Sequence, residues 1–203
     1  MTRLHLLVMP LLAWCLFFVP VPCNAAGYSA AETQSLLQYA RDCLLAQLTG
    51  DPLPEAPEFA LQEQRPCFVT FFHKKKVFAC FGGFAPRQAN LAAEIADHIR
   101  LALINDDRAR NMNEEMAKNA EIQITFPHFP ERVRHYREID PLREGMFVER
   151  SDGNGVAFVP GEARTASWAF RQGLLRLGET DHTAVTVYRF RSSFISTQQK
   201  QMR

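Results

Sequence analysis

Residues 66–84 contain the pattern that most constrains the fold of this chain. Two apolar, aromatic-rich segments, 68–72 and 77–81, flank a turn made of three lysines. Such segments around a short polar turn predict a β-hairpin. The second segment leads through Cys80 into the glycine pair 82–83. A thiol at a strand end beside glycines marks either a site where a ligand approaches the backbone or a small buried residue at a tight turn.

The first 25 residues have the layout of a secretory signal peptide. A positively charged start containing Arg3 precedes a mostly apolar stretch over 6–19, and small residues ending in Ala25 precede a cut before Ala26. The apolar stretch is shorter than the roughly 20 residues that span a bilayer. We therefore expect an exported protein, periplasmic or secreted, with no membrane span after cleavage. An uncleaved N-terminal membrane anchor is the alternative.

The rest of the chain is long enough to form one domain with its own core. Arg3 is the only charged residue before residue 26, so the 23 Lys and Arg fall to 22, against 22 Asp and Glu. A mature chain with zero net charge has no electrostatic basis for binding nucleic acid. No Cys or His spacing resembles a zinc site, and no phosphate-binding glycine fingerprint occurs. We therefore predict no metal, cofactor or nucleic acid.

Three cysteines, Cys43, Cys67 and Cys80, remain after residue 25. An odd number leaves at least one thiol free even in an oxidising compartment. If the hairpin turns within the lysines, Cys80 faces Thr70 and Cys67 lies near Gly83. Cys67 and Cys80 are then poorly placed for a disulfide bond, because bridged Cα atoms must lie within about 7 Å. Pairing of Cys43 with either of the other cysteines stays open.

Three helices are predicted from apolar periodicity and from the residues that begin or end helices. A capping box starting at Ser29 begins the first helix, and Gly50 ends it. Asn90 precedes the second helix, and the third extends over 162–177 and ends at Gly178.

Strands and loops account for much of the remaining chain. Alternating residues over 121–126 predict one strand, 183–190 predicts another, and the Asp-Gly and Asn-Gly pairs at 152–155 predict a second hairpin. The segments 51–65 and 105–113 are predicted loops. Because hairpins predominate over strand–helix–strand units, we expect an α+β fold. It has a mixed, mainly antiparallel sheet with flanking helices and a smaller lobe around the second hairpin.

Several motifs are similar to those of a known family. Phe-Val-Thr at 68–70 is followed by Val-Phe-Ala-Cys-Phe-Gly at 77–82, which resembles a family strand ending in Leu-Arg-Gly-Cys-Ile-Gly. Asp-Asp-Arg-Ala at 106–109 resembles the family's Asp-x-Arg-Phe, and the order of elements over 145–191 is similar. With these motifs the chain resembles the AMMECR-type domain, named after a human deletion syndrome of Alport nephropathy, intellectual disability, midface hypoplasia and elliptocytosis.

The resemblance implies an AMMECR-type domain over 26–197, a polar tail over 198–203 and an α/β fold of two unequal subdomains. The family has no settled biochemical activity. Its bacterial members are often encoded with or fused to a Memo-like dioxygenase and a radical-SAM enzyme, so the resemblance implies a partner of that kind. Phe78, Ala79 and Ala109 stand where the family has arginine, glycine and phenylalanine. These departures make the chain a divergent member.

Two hypotheses about function follow. In the first, the chain is a module that binds a protein or a small molecule in a cleft near Cys80 and Arg108, with Asp106, Thr70 and Gly82 contributing. In the second, it is a divergent enzyme in which Cys80 is the nucleophile and Arg108 binds an anionic substrate group. A cysteine nucleophile needs a cation or base that stabilises the thiolate. The family's arginine before the cysteine is absent here, so we favour the binding module.

Overall fold

The computed structural model of this protein describes residues 26–74 and 76–198, which form two lobes. Each lobe contains a four-stranded sheet with at least one helix packed against it. The predicted α+β fold class is confirmed. The predicted signal peptide over 1–25 and the predicted tail beyond Gln198 lie outside the described residues. Within the described part of the chain, no helix is both long enough and apolar enough to cross a membrane.

The first sheet contains β1 (Phe68–His73), β2 (Lys76–Gly82), β3 (Glu121–Pro127) and β8 (Ser192–Ser196). Its strand order is β2–β1–β3–β8, and all three pairings are antiparallel. The predicted first hairpin is confirmed, because Thr70 pairs with Cys80. The backbone N–H of Gly83 also donates to the carbonyl oxygen of Cys67 at 3.1 Å. Strand β8 is an addition that the sequence pattern did not predict.

The first lobe also contains α1 (Ala30–Thr49), α2 (Glu58–Gln62), α3 (Leu91–Asn105), α4 (Glu114–Lys118) and a 3₁₀ turn (Asp107–Asn111). The predicted capping box at Ser29 is confirmed, and Gly50 ends α1 with a left-handed φ of 79°. Asn90 caps α3 as predicted. The predictions of continuous loops over 51–65 and 105–113 are wrong, since α2 and the 3₁₀ turn interrupt them. Both elements are too short to show an apolar period.

The second lobe contains β4 (Glu131–Arg132), β5 (Gly145–Arg150), β6 (Gly155–Phe158), β7 (Val185–Phe190) and helix α5 (Ala166–Leu177). Its strand order is β4–β7–β5–β6, again with antiparallel pairings. The second hairpin is confirmed, with Gly153 in its turn at a φ of 84°. Helix α5 ends at Gly178 as predicted, but it begins at Ala166, where Thr165 caps it, rather than at 162. The predicted smaller lobe is therefore built on a sheet of its own.

A two-stranded ribbon joins the two sheets. Strand β3 pairs with β8 in the first sheet, and β4, which follows β3, pairs with β7 in the second. Between these pairings the backbone N–H of His128 donates to the carbonyl oxygen of Arg191 at 2.8 Å. Backbone hydrogen bonding therefore continues from one lobe into the other.

Aromatic side chains fill the junction between the lobes. Phe68 of β1 stacks on Phe190 of β7, with ring centroids 6.0 Å apart. Phe84 contacts Phe190 and Phe147 with centroid separations of 4.9 and 5.0 Å. Burial of rings of this size contributes strongly to packing. The junction fixes the two sheets on either side of a groove.

A buried polar cluster supports the segment 83–90, which follows the first hairpin. Glu94 of α3 is fully buried, and one of its carboxylate oxygens accepts the backbone N–H groups of residues 87 and 88 at 2.8 and 2.7 Å. The other oxygen lies 3.0 Å from Nε2 of His98, whose Nδ1 lies 3.7 Å from the thiol of Cys67. Burial lowers the pKa of His98 despite the nearby carboxylate. This cluster holds residues 87 and 88, which follow the groove residues 82–84 in the chain, against α3.

Candidate functional site

The groove between the lobes has a volume of about 600 Å³ and contains most of the predicted site residues. Cys80, Gly82, Asp106 and Arg108 line the wall that belongs to the first lobe. Thr70 is fully buried behind that wall, beside Cys80. The structure therefore brings all five predicted residues together, four of them at the groove surface.

The surroundings of Cys80 favour its protonated thiol. Its Sγ lies 3.2 Å from the hydroxyl oxygen of Thr70. Burial, followed by the negative charge of Glu162, raises the pKa of Cys80 to about 12, and the hydrogen bond with Thr70 and the charge of Arg108 only partly offset these effects. A thiol is a weak nucleophile until it ionises. The raised pKa of Cys80 thus disfavours the thiolate that the enzyme hypothesis requires.

Alkylation of Cys80 in the native protein should be slow at neutral pH. With a pKa of about 12, only about one thiol in ten thousand is ionised at pH 8. We expect the iodoacetamide labelling rate, followed by peptide mass spectrometry, to rise without a plateau between pH 7 and pH 10. After unfolding in urea, Cys80 should label as fast as Cys43 and Cys67. A native labelling rate that reaches a plateau with a midpoint below pH 8 would contradict this assignment.

Asp106 is the centre of the polar wall. Its carboxylate accepts the backbone N–H of Cys80 at 2.9 Å and that of Arg108 at 3.1 Å. It also faces the Arg108 guanidinium along its edge, with Nε 2.9 Å from Oδ1 and Nη2 2.7 Å from Oδ2. Burial alone would raise the pKa of Asp106, but the hydrogen bonds and charge of Arg108 outweigh it and lower that pKa. Asp106 is thus a carboxylate that ties β2 to the 3₁₀ turn.

Arg108 reaches across the groove to the second lobe. Its Nη1 donates to Oε1 of Glu162 at 3.1 Å, and only 3% of the Glu162 side chain is exposed. The other Glu162 oxygen accepts the backbone N–H of Val159 at 3.3 Å. Each of the three guanidinium nitrogens of Arg108 therefore already donates to a carboxylate. This geometry gives Arg108 the role of joining the lobes.

A second arginine, Arg176 of α5, lines the opposite side of the groove. Its guanidinium carbon lies 5.0 Å from the ring centroid of Phe158. Among residues 26–74 and 76–198, no carboxylate lies within 4.0 Å of its nitrogens. Partial burial and then the positive charge of Arg108 lower the pKa of Arg176, although the negative charges of Glu162 and Asp106 act in the opposite direction. Sequence reasoning missed both Arg176 and Glu162, since neither belongs to a recognisable local motif.

The paired glycines have different surroundings. A Cβ on Gly82 would lie 2.4 Å from the carbonyl oxygen of Cys67 and 2.4 Å from Cα of Phe68. A Cβ on Gly83 would meet nothing nearer than 3.6 Å. Glycine at position 82 is therefore required by the close approach of β1, rather than by a ligand approaching the backbone.

Most of this chain matches a known protein family. The AMMECR1 family profile matches residues 37–195. The chain belongs to the AMMECR1 family. The resemblance predicted from the motifs at 68–70 and 77–82 is thus confirmed. At the altered motif positions, Phe78 and Ala79 are buried in the first lobe of this AMMECR1 domain.

Two further comparisons report proteins that the chain resembles. A Thermotoga maritima protein described simply as "Protein" is 28% identical over 108 residues, which cover 52% of this chain and 62% of the relative. The match therefore spans somewhat less than two thirds of that relative's length. The crystal structure of an uncharacterised protein from Pyrococcus horikoshii superposes with a TM-score of 0.58 at 18% identity, over 78% of this chain and 88% of that one. The second likeness concerns the fold alone.

Proposed function

We propose that this AMMECR1-family protein is a binding module whose groove holds a ligand with an apolar part and an anionic group. The observation that carries the proposal is the contrast between two arginines in one groove. Arg108 is occupied by Asp106 and Glu162, whereas Arg176 has no carboxylate partner among the described residues. A cation placed beside apolar surface favours a ligand that brings its own negative charge.

The other walls of the groove suit the apolar part of such a ligand. Phe84 and Phe147, whose rings are in contact, both line the groove, and the edge strand β6 contributes the small residues Gly155 and Ala157. Ligand sites commonly combine a mostly apolar lining with a few placed polar groups. An aromatic or aliphatic carboxylate fits this description. Cys80 contributes a neutral thiol to the wall in this arrangement.

The proposal is tested with phenylacetate as the probe and phenethylamine as its cationic counterpart. We expect phenylacetate, in an NMR titration of the full chain, to shift the amide signals of 81–84 and 155–157 in a saturable manner. The Arg176→Gln variant should weaken this binding at least about tenfold, because it removes the unpaired charge. The matched control is Arg171→Gln on the same helix, outside the groove lining, which should leave the affinity unchanged.

Two results would contradict the proposal. One is equal binding of phenylacetate and phenethylamine, which would remove the role of charge. The other is an unchanged affinity for phenylacetate in Arg176→Gln. Both variants change exposed side chains, so their native amide spectra outside the groove verify that the fold is retained.

Export and a protein partner are further parts of the proposal. The signal-like sequence over 1–25 supports export, and mass spectrometry of the mature protein should find Ala26 as its first residue. An intact Met1 in a cytosolic fraction would overturn export. That result would direct the search for partners to cytosolic Memo-like and radical-SAM proteins, as the family resemblance implies.

A further inference from the structure

We propose that the second lobe contains a separate binding site for phosphate, either free or carried by a small phosphate ester. The site is a cavity of about 190 Å³ between the segment 132–136, helix α5 and strand β7. None of the residues that line it also lines the groove between the lobes. The proposal is therefore independent of the ligand proposed for the groove.

The lining of this cavity is positively charged. Arg132 and Arg134 line the cavity together with His135 and His182, and none of the residues that line it carries a carboxylate. Neither arginine has an ion-pair partner within the part of the chain that the structure describes. Paired guanidinium groups are well suited to phosphate, since each presents several N–H donors in one plane.

The carboxylates close to the cavity are engaged elsewhere. Glu131 binds Arg189 at 3.0 Å. Glu138 accepts the backbone N–H of His135 at 2.8 Å, and Asp181 accepts the backbone N–H of Thr183 at 2.8 Å. Glu131 thus forms an ion pair, and Glu138 and Asp181 each cap a short turn of the backbone. None of the three forms an ion pair with Arg132 or Arg134, so the guanidinium donors of both arginines stay available to a ligand.

Ring packing and one hydrogen bond fix the geometry of the histidines. Tyr136 stacks on Phe170 with centroids 4.4 Å apart at an angle of 11°, and His182 meets Phe170 edge-on at 5.5 Å. The backbone N–H of Arg137 donates to Nδ1 of His135 at 3.1 Å. In the neutral imidazole the proton must then be on Nε2, which becomes a donor. A neutral His135 therefore presents an Nε2–H donor among the residues that line the cavity.

The pKa of Tyr136 agrees with a positively charged cavity. Hydrogen bonds from Ser167 and Arg137, assisted by the charges of Arg137 and Arg171, lower the pKa of Tyr136. A negative charge beside the cavity is thus less costly than it would be in water. Arg137 and Arg171 extend the positive surface around it and have no carboxylate partner among the described residues.

The experiment titrates the full chain with inorganic phosphate and, separately, with phenyl phosphate, at constant ionic strength. We expect saturable shifts in the imidazole NMR signals of His135 and His182 below about 10 mM ligand. The double variant Arg132→Gln/Arg134→Gln should weaken binding at least tenfold. Both side chains are exposed, so this variant is expected to keep the fold. The control Arg176→Gln, which alters the groove, should leave phosphate binding unchanged.

The two ligands distinguish the source of the phosphate. Tighter binding of phenyl phosphate would assign the site to phosphate esters, and equal binding would assign it to free phosphate. The absence of saturable shifts, or equal affinities of the wild type and the double variant, would overturn the proposal. Since the groove is tested through Arg176→Gln and phenylacetate, failure at one site is distinguishable from failure at the other.

Discussion

Replacing Arg108 by methionine should lower the free energy of unfolding by about 3 kcal/mol or more. Methionine has an apolar side chain of similar length to the arginine stem, but it lacks the cation that Asp106 and Glu162 share. Glu162 is nearly fully buried, so it would be left as a charge without a partner. Urea denaturation at neutral pH measures the difference. The double variant Arg108→Met/Glu162→Gln should recover part of the loss, because it removes the unpaired charge.

Arg110→Met is the matched control for this prediction. Arg110 belongs to the same 3₁₀ turn and pairs with Asp107 at 2.6 Å, but the side chains of this pair are 76% and 83% exposed. Exposed ion pairs contribute about 0–1 kcal/mol, so the control should change stability little. Equal losses in Arg108→Met and Arg110→Met would show that the link between the lobes is not an important source of stability.

Replacing Gly82 by alanine should cost about 3 kcal/mol, at the upper end of the range for overpacking. The new methyl group would lie 2.4 Å from two backbone atoms of the segment 67–68 and 2.5 Å from Cδ1 of Phe68. Backbone atoms paired within a sheet cannot move aside as the end of a flexible side chain does, so the hairpin must separate. We expect a lower midpoint in both thermal and urea unfolding.

Gly83→Ala separates this clash from a general effect of losing glycine. Its methyl group would lie 3.6 Å from the nearest atom, the carbonyl oxygen of Ala85, which is ordinary contact. Gly82 and Gly83 both have φ values outside the left-handed region, so backbone strain does not distinguish them. The control should therefore stay within about 1 kcal/mol of the wild type. If the Gly82 variant were as stable as the Gly83 variant, the close approach of β1 would be excluded as the reason for glycine.

The sequence predicted best those features that are determined by short stretches of chain. The lysine turn set the pairing of Thr70 with Cys80, and the capping box at Ser29 set the start of α1. Strand β8 was missed because its serine-rich sequence has weak strand propensity. It forms through pairing with β3, a contact that local sequence does not record.

The candidate site was predictable only in part, for the same physical reason. The hairpin and the family motif indicated that Cys80 and Arg108 belong to one site. Glu162 and Arg176 come from the second lobe, more than fifty residues later in the chain, and only the packing of the two lobes brings them to the groove. The contact with Glu162 also changes the role that Arg108 is assigned. Its charge is used within the protein, and Arg176 is the arginine that remains for a ligand.

The ribbon between the sheets has a mechanical consequence. The two lobes are connected along a line of backbone hydrogen bonds that includes His128 and Arg191, rather than through a single flexible linker. Twisting one sheet against the other would break that line, and separating the walls of the groove would break the Arg108–Glu162 pair. The width of the groove is thus set before a ligand arrives. Selection among ligands would then depend on how well they fit a rigid slot, with little contribution from closure around them.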